Sequence, residues 1–302
     1  MAGIPTNRSN ITLPPEVSGE VLAKTQQTSA IMRLARQVAL PGRGLQIPVV
    51  TSDPVAGWVD ETGAKPVSNP GLSSKVMQPY KLAVIVPFSE EFFRDANALY
   101  DEIIARLPNA FGAQFDGTVI GALEAPGENF DTFANATAQS LIATESHSTY
   151  DALVNAYTDI SENGGHLNAF AMSPAGLGIL IAAVDSTGRP LFVPSAASGE
   201  IGRLLGAQVI ENRGLYKAGE AGVGTAPGTP AIVGVAGDWS RAVFGTVEGI
   251  KMKLLDQATL VSGTTTINLA QNDMVAVRAE IELGFRADVD SFNLLTGAVP
   301  QS

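Results

Sequence analysis

The sequence predicts an α+β fold, and three observations carry that prediction. Runs with strand character and runs with helical character are mixed, without the strict alternation of a doubly wound sheet. One apolar stripe, Leu99, Ile103, Leu107, Phe111 and Phe115, recurs every four residues, the slowly drifting pattern of a long amphipathic helix. Lys81 to Phe88 places Leu82, Val84, Val86 and Phe88 on one face, and Met274 to Arg286 supplies a long terminal strand.

Taken in order, residues 1–30 are polar, carry Pro14-Pro15 and show little periodicity, so alone they have no reason to fold. They read as an arm that orders on a neighbour. Leu45 to Val50 alternates and reads as a short strand, expected to pair with Lys81 to Phe88. About thirty residues rich in Gly, Pro, Ser and Asp lie between the two runs, too many for a tight hairpin and too polar for a core. An extended two-stranded excursion into solvent or onto a neighbour fits them. Ser89 is placed to N-cap a helix opening on Glu90-Glu91, with the acidic residues where the helix dipole favours them. Pro108 is expected to kink that helix or divide it in two. Irregular chain is expected after Gly121, then a helix from Tyr150 to Ile160, a strand from Ala169 to Met172 and a helix from Pro174 to Val184, closed by the Asp185-Ser186-Thr187-Gly188 turn. Gly219 to Pro230 reads as a mobile loop, and Ala231 to Val235, Arg241 to Phe244 and Gly249 to Leu254 as strands.

Composition limits the function. With 302 residues, 45% of them hydrophobic, the chain has material for one large core or two modest ones. The lack of cysteine excludes disulfides, thiolate catalysis and cysteine-based zinc sites. A formal net charge of -11 argues against a protein whose affinity comes from neutralising phosphates, so nucleic acid is expected as a neighbour and not as a gripped, sequence-specific ligand. Only 16% of residues are charged, a deficit expected of a chain that covers much of its surface with other subunits. Met1 is followed by the polar run Thr6 to Asn10, which does not resemble a secretion signal, and no apolar run reaches the length of a membrane span. The chain is expected to stay in the cell that makes it, away from membranes.

Several phrases, in this order, resemble the major capsid proteins of tailed double-stranded DNA bacteriophages, the Hong Kong ninety-seven fold shared with encapsulin shells. Ala56-Gly57-Trp58-Val59-Asp60-Glu61 resembles a phrase of that family's extended loop, and Lys81 to Glu91 its return strand leading through a serine into the spine helix. Phe115 to Gly121 resembles the end of the spine helix. Met172-Ser173-Pro174 with Leu180 to Leu191 is similar to the axial domain, and Leu204 to Val209 to its L-L-G-x-P-V phrase, with Gln208 in place of proline. Gly237-Asp238-Trp239 matches a G-D-aromatic phrase, and Val277-Arg278-Ala279-Glu280 begins the last peripheral strand. The resemblance implies an N-terminal arm (1–30), the start of the peripheral domain (31–50), the extended loop (51–80), peripheral domain with spine helix (81–145), axial domain (146–245), and peripheral sheet with C-terminus (246–302). It implies no enzyme and no cofactor, but a subunit that assembles as pentamers and hexamers into the icosahedral shell around phage double-stranded DNA. A separate scaffolding protein, a portal and a decoration protein would be its partners, and assembly would occur in the bacterial cytoplasm. Trp58, Asp60, Glu61 and Lys65 would make contacts between subunits.

Some members weld subunits through a Lys to Asn isopeptide bond promoted by a glutamate. The resemblance places the lysine at Lys65, the glutamate at Glu280 and the acceptor at Asp273, with Asn272 one residue off and on the opposite strand face. Ordinary ion pairs are expected of Lys65 and Glu280 instead. Trp239 is expected in the core, and His147 and His166 at the surface or hydrogen-bonded, because no HExxH spacing accompanies them. Gly222 to Gly228 lacks the lysine and hydroxyl residue of a phosphate loop. An encapsulin-type compartment shares the fold, whereas a soluble enzyme would need convergent titratable groups that the sequence does not display.

Overall fold

In the computed structural model the described residues are 24–50, 56–59, 65, 67, 72–89, 97–144, 147–184, 189–190, 192, 202–222, 227–262 and 265–300. Two mixed sheets dominate, while β12 (Thr259–Ser262) and β13 (Thr265–Asn268) form a separate antiparallel pair. The first contains β1 (Arg36–Ala39), β4 (Tyr80–Ser89), β10 (Ala242–Thr246), β11 (Lys251–Leu255) and β14 (Met274–Ala287). β14 is its axis: β4 runs antiparallel along all ten of its own residues, while β11 and β10 share the other edge of β14. β4 alternates half-buried and exposed residues throughout, as a strand with one face on a core must. Among the described residues it pairs with β14 alone, and that outer position tolerates Pro87.

The second sheet follows the order β5 (Thr137–Ser140), β15 (Phe292–Thr296), β9 (Ile232–Gly237), β6 (Ala169–Met172), β8 (Ala207–Glu211) and β7 (Arg203–Leu204). Its central strands are buried on both faces, and alternate residues go to different cores. Ala169, Ala171, Val235 and Leu294 join the core shared with the first sheet, whereas Phe170, Met172, Val233 and Leu295 join a second core. Helices α3 (Thr149–Glu162) and α4 (Pro174–Ala182) cover that second face, each N-capped by a serine, Ser148 and Ser173. The shared core centres on aromatic rings: Phe133 stacks on Phe292 at 4.5 Å and meets Trp239 and Phe285 edge-on. Gly237 is required beside them, since a Cβ there would lie 2.1 Å from the Phe292 ring.

The spine helix α2 (Asn97–Val119) buries Leu107, Phe111 and Phe115 in this shared core. Of the two outcomes expected at Pro108, a kink or a division, the division does not occur, since one helix runs through it. Proline removes one backbone hydrogen bond, and apolar anchors on both sides of it, Leu107 and Phe111, seat the rod on one core. The helix closes with Gly121 at φ +77°, where the amides of Gly121 and Ala122 reach back to Thr118 and Gly117, a Schellman cap.

Four expectations change. Leu45–Val50 (β2) does not pair with 81–88; it forms a separate antiparallel hairpin with β3 (Leu72–Met77), because β14 matches the full length of β4 and leaves β2 to the nearer six-residue run. The stretch after Gly121 contains β5 as well as a short 3-10 turn over Phe133–Asn135. Gly219 to Pro230 is flanked by the bridges Lys217 to Ile232 and Glu220 to Thr229, so its described ends are paired chain; residues 223–226, within the Gly222 to Gly228 run, lie outside the described residues. The expected 245/246 boundary cuts β10, which lies wholly in the first sheet, while β15 belongs to the second. The Ser89 cap and the Asp185 to Gly188 turn fall at or in segments outside the described residues.

Candidate assembly surfaces

Three regions combine exposed side chains with defined polar contacts: the hairpin of β2 and β3, the start of the described chain, and the outer face of β4, β14 and β11. The β2–β3 hairpin leads to residues 56–59, 65 and 67, all exposed. Trp58 is exposed to 106% of its reference area and Val67 to 89%, so neither apolar side chain is covered by the described residues. At the root, Leu45 and Ile47 pack on Leu40, Met77 and Val243, forming a small third core. Beside it Arg286 donates to Val76 O, to Asp131 Oδ1 and to Asn129 Oδ1, each at 2.7 Å. Asp131 also accepts from the Ala287 amide, and Lys75 Nζ donates to Ala287 O at 2.9 Å. The forked guanidinium thus ties β3, the 129–131 loop and the end of β14 together.

Residues 28–34, near the start of the described chain, are held differently. Asp116 of the spine helix is buried and accepts from Ser29 Oγ at 2.5 Å, from the amides of Ala30 and Ile31, and from Asn212 Nδ2 at 3.0 Å. Ser29 in turn accepts from the Met32 amide and caps the helical turn α1 (Ala30–Leu34), and Asn212 also donates to Thr28 O. Burial raises the Asp116 carboxyl to about 7, against the pull of its hydrogen bonds. One carboxyl therefore joins the arm root, the spine helix and the second sheet.

A third region is the outer face of β4, β14 and β11. Lys81 Nζ lies 3.5 Å from Glu280 and 3.9 Å from Glu282, and Lys251 lies 2.8 Å from Glu248. The hydrogen bond and charge of Glu248 raise the Lys251 ammonium. Arg278 Nε sits 2.9 Å from Glu280 Oε1, close enough for ion pairing but off the line of a hydrogen bond, so this buried N–H has no hydrogen-bonded partner among the described residues.

Of the residues singled out by sequence, Trp58 and Lys65 are exposed, and Asp60 and Glu61 lie outside the described residues. Glu280 is on β14, ion-paired to Lys81 and Arg278. Asp273 occupies the preceding turn at φ +48°, seven residues and roughly 23 Å along the strand from Glu280. The Asn272 amide is bound within that turn to Asn268 O. One chain does not bring Asp273 and Glu280 together. Trp239 is buried with its Nε1 donating to Ala169 O, and Asp238 before it accepts from the His166 amide, from Asn168 and from Ser240. Burial acts to raise Asp238, but these hydrogen bonds outweigh it and hold the carboxyl below its ordinary value. His147 contacts Ser140 O at 3.2 Å. Sequence reading missed Asp116, Asn212, Asp131 and Arg286; the one available signal was a polar residue at a core-facing helix position, Asp116 next to Phe115.

The profile of a family described as the phage capsid family matches residues 9–296. A protein named probable major capsid protein gp17, from Mycobacterium phage L5, is 30% identical over 304 residues, which cover 94% of this chain and 89% of that protein. A solved structure from Gordonia phage Cozz superposes with a TM-score of 0.70 at 23% identity, covering 90% of this chain and 87% of that one. The capsid of an empty GTA particle superposes with a TM-score of 0.63 at 15% identity, covering 99% of this chain and 96% of that one. These structural likenesses concern the fold.

Proposed function

This chain belongs to the phage capsid family, as the match over residues 9–296 shows, and from that premise we propose that it is the major structural subunit of a phage capsid, closing as pentamers and hexamers into an icosahedral shell around double-stranded DNA. The observation that carries this reading is the hairpin of β2 and β3: its root is locked by Arg286 and Asp131, yet Trp58 and Val67 beyond it are almost fully exposed. An apolar tip on a fixed base is suited to rest on a sibling copy, which removes apolar surface from water at about 25 cal/mol per Å². In this reading the sheet around β14 is the peripheral layer, the sheet around β9 the axial layer, and α2 the spine between them. Trp58, Asp60, Glu61 and Lys65 make contacts between subunits. A separate scaffolding protein, a portal and a decoration protein complete the particle, and assembly takes place in the host bacterial cytoplasm. The acidic balance suits a wall that must release its genome.

Phage capsid relatives favour this reading over an encapsulin-type compartment. Glu280 is given the role of an ion-pair partner, and a Lys65 to Asp273 weld is left out; a denaturing gel of assembled particles is expected to show one band at the 31.3 kDa of the chain. The deciding experiment is electron microscopy of the purified, expressed chain with and without its scaffolding partner. Closed particles are expected. A chain that stays monomeric at millimolar concentration in both conditions overturns the reading.

A further inference from the structure

Two carboxylates are buried among the described residues, and their surroundings differ. Asp238 faces the Arg241 guanidinium at 3.7 Å. Asp116 faces neutral donors only: Ser29 Oγ, the Ala30 and Ile31 amides and Asn212 Nδ2. The charged side chains on the segments around it are Lys24 and Arg33 on either side of Ser29, Arg106 on α2, and Glu211 and Arg213 beside Asn212. All five are exposed, and burial and hydrogen bonds, with no cation among them, set the ionisation of Asp116. The walls fit closely on both sides of the helix. A Cβ on Gly112 would lie 3.3 Å from the Ser29 nitrogen, and one on Gly214 would lie 3.1 Å from Ala113 Cα.

A carboxyl enclosed in this way has two unequal states. Protonated, it keeps the joint dry and shares one proton with Ser29 Oγ at 2.5 Å. Ionised, it either stays charged without a counter-ion or is hydrated, and hydration requires one wall to leave. The wall at Asn212 is anchored in the second sheet, where β8 pairs with β6 and the Asn212 amide donates to Met172 O at 2.9 Å. The other wall, residues 28–34, supplies three of the four donors, and its five-residue α1 is too short to be stable by itself. Its apolar anchors are Ala30, Ile31 and Met32 in the shared core, and these oppose its release. We infer that the joint is a proton-operated latch: residues 28–34 lie closed on α2 while Asp116 is protonated and open locally, with both sheets intact, when it ionises. Closure is therefore strongest in acid and weakens as pH rises. Each opening releases one proton, so the opening constant grows about tenfold per pH unit, until near pH 7 the carboxyl is ionised in the closed joint as well.

The latch stands apart from the capsid reading and is tested on the full, unassembled chain. The amides of Ser29, Ala30, Ile31, Met32, Arg33 and Ala35 all donate within the joint, so their hydrogen exchange reports its opening. Corrected for intrinsic chemistry, that exchange is expected to accelerate about tenfold per unit from pH 5 to pH 7 and to level off above. It should barely respond to low urea, while exchange in β6 and β9 accelerates, because a local opening exposes little surface. Asp116→Asn should remove the pH response of residues 29–35. Exchange independent of pH in the unaltered chain, an equal urea response in this segment and in the sheets, or a pH response that survives in Asp116→Asn overturns the latch. If Asp116→Asn does not fold, infrared difference spectra of the unaltered chain decide. One protonated-carboxyl band should be lost at the pH where the exchange levels off, and the absence of any such band above pH 5 overturns the inference.

Discussion

The pH dependence of the arm root gives a direct test of how the Asp116 carboxyl is held. In the unfolded chain it ionises near the usual 3.8, whereas in the folded chain burial carries it to about 7. Between those values the folded state binds more protons, so stability falls as pH rises through this window and is level above it. Each pH unit corresponds to about 1.4 kcal/mol, so the full window is worth about 4 kcal/mol if Asp116 alone is responsible. The assay is denaturant unfolding of the unassembled chain from pH 5 to pH 8 at fixed ionic strength, paired with Asp116→Asn, which cannot titrate. The difference between the two stabilities isolates this group from the other carboxylates. It should change by about 1.4 kcal/mol per unit below pH 7 and flatten above it. A difference independent of pH over that range would refute the reasoning, because it would mean that Ser29, Ala30, Ile31 and Asn212 hold Asp116 ionised throughout.

Other perturbations separate folding from assembly. Phe133→Ala removes the ring that touches Phe292, Trp239 and Phe285, and should destabilise the unassembled chain by about 3 to 5 kcal/mol in denaturant melts. Arg286→Met leaves Asp131, only 17% exposed, without its main cation; a loss of about 3 kcal/mol is expected, with faster hydrogen exchange in β3 ahead of the second sheet. Trp58→Ala should leave the melting of the unassembled chain within about 0.5 kcal/mol, since the side chain is fully exposed, yet raise the concentration at which particles form. Leu205→Asn relieves a non-glycine residue at φ +50° in the two-residue turn joining β7 to β8, and should stabilise the chain by about 0.5 to 1 kcal/mol in the same melts.

Much of the fold was legible because its longest elements follow a single rule each. β4 and α2 have strict periods, of two and about four, and both lie close to where those periods place them. β6 was legible as a short apolar run bounded by Asn168 and the Ser173-Pro174 cap. The missed strands lacked such a signal. β5 is Thr-Ala-Gln-Ser, a strand only because it lies parallel to β15, and β3 reads Leu-Ser-Ser-Lys-Val-Met, with polar residues where its partner β2 supplies the register. Sheet membership of the C-terminal third was equally hidden. β14 and β15 are separated by a four-residue turn but enter different sheets, a choice made by the aromatic packing of Phe285 and Phe292 around Phe133. The polar locks escaped for the same reason, since Asp116 meets Ser29 across 87 residues and Arg286 meets Asp131 across 155.

The two locks also explain how the described segments that lead to the proposed contact regions are fixed in direction. A tip that must dock on a sibling loses less conformational entropy on docking when its base already fixes its direction. Apolar packing alone gives little directional control at a hairpin root as small as Leu40, Met77 and Val243. The Arg286 fork supplies it, because three hydrogen bonds at 2.7 Å from β14 to β3 and to the 129–131 loop define an orientation that dispersion contacts do not. Asp116 does the same for the arm with four donors drawn from the arm root and from Asn212. At the hairpin, polar chemistry at the root supplies direction, and exposed Trp58 and Val67 supply apolar area. Weakening a root should therefore impair assembly even where every residue that touches a neighbour is intact.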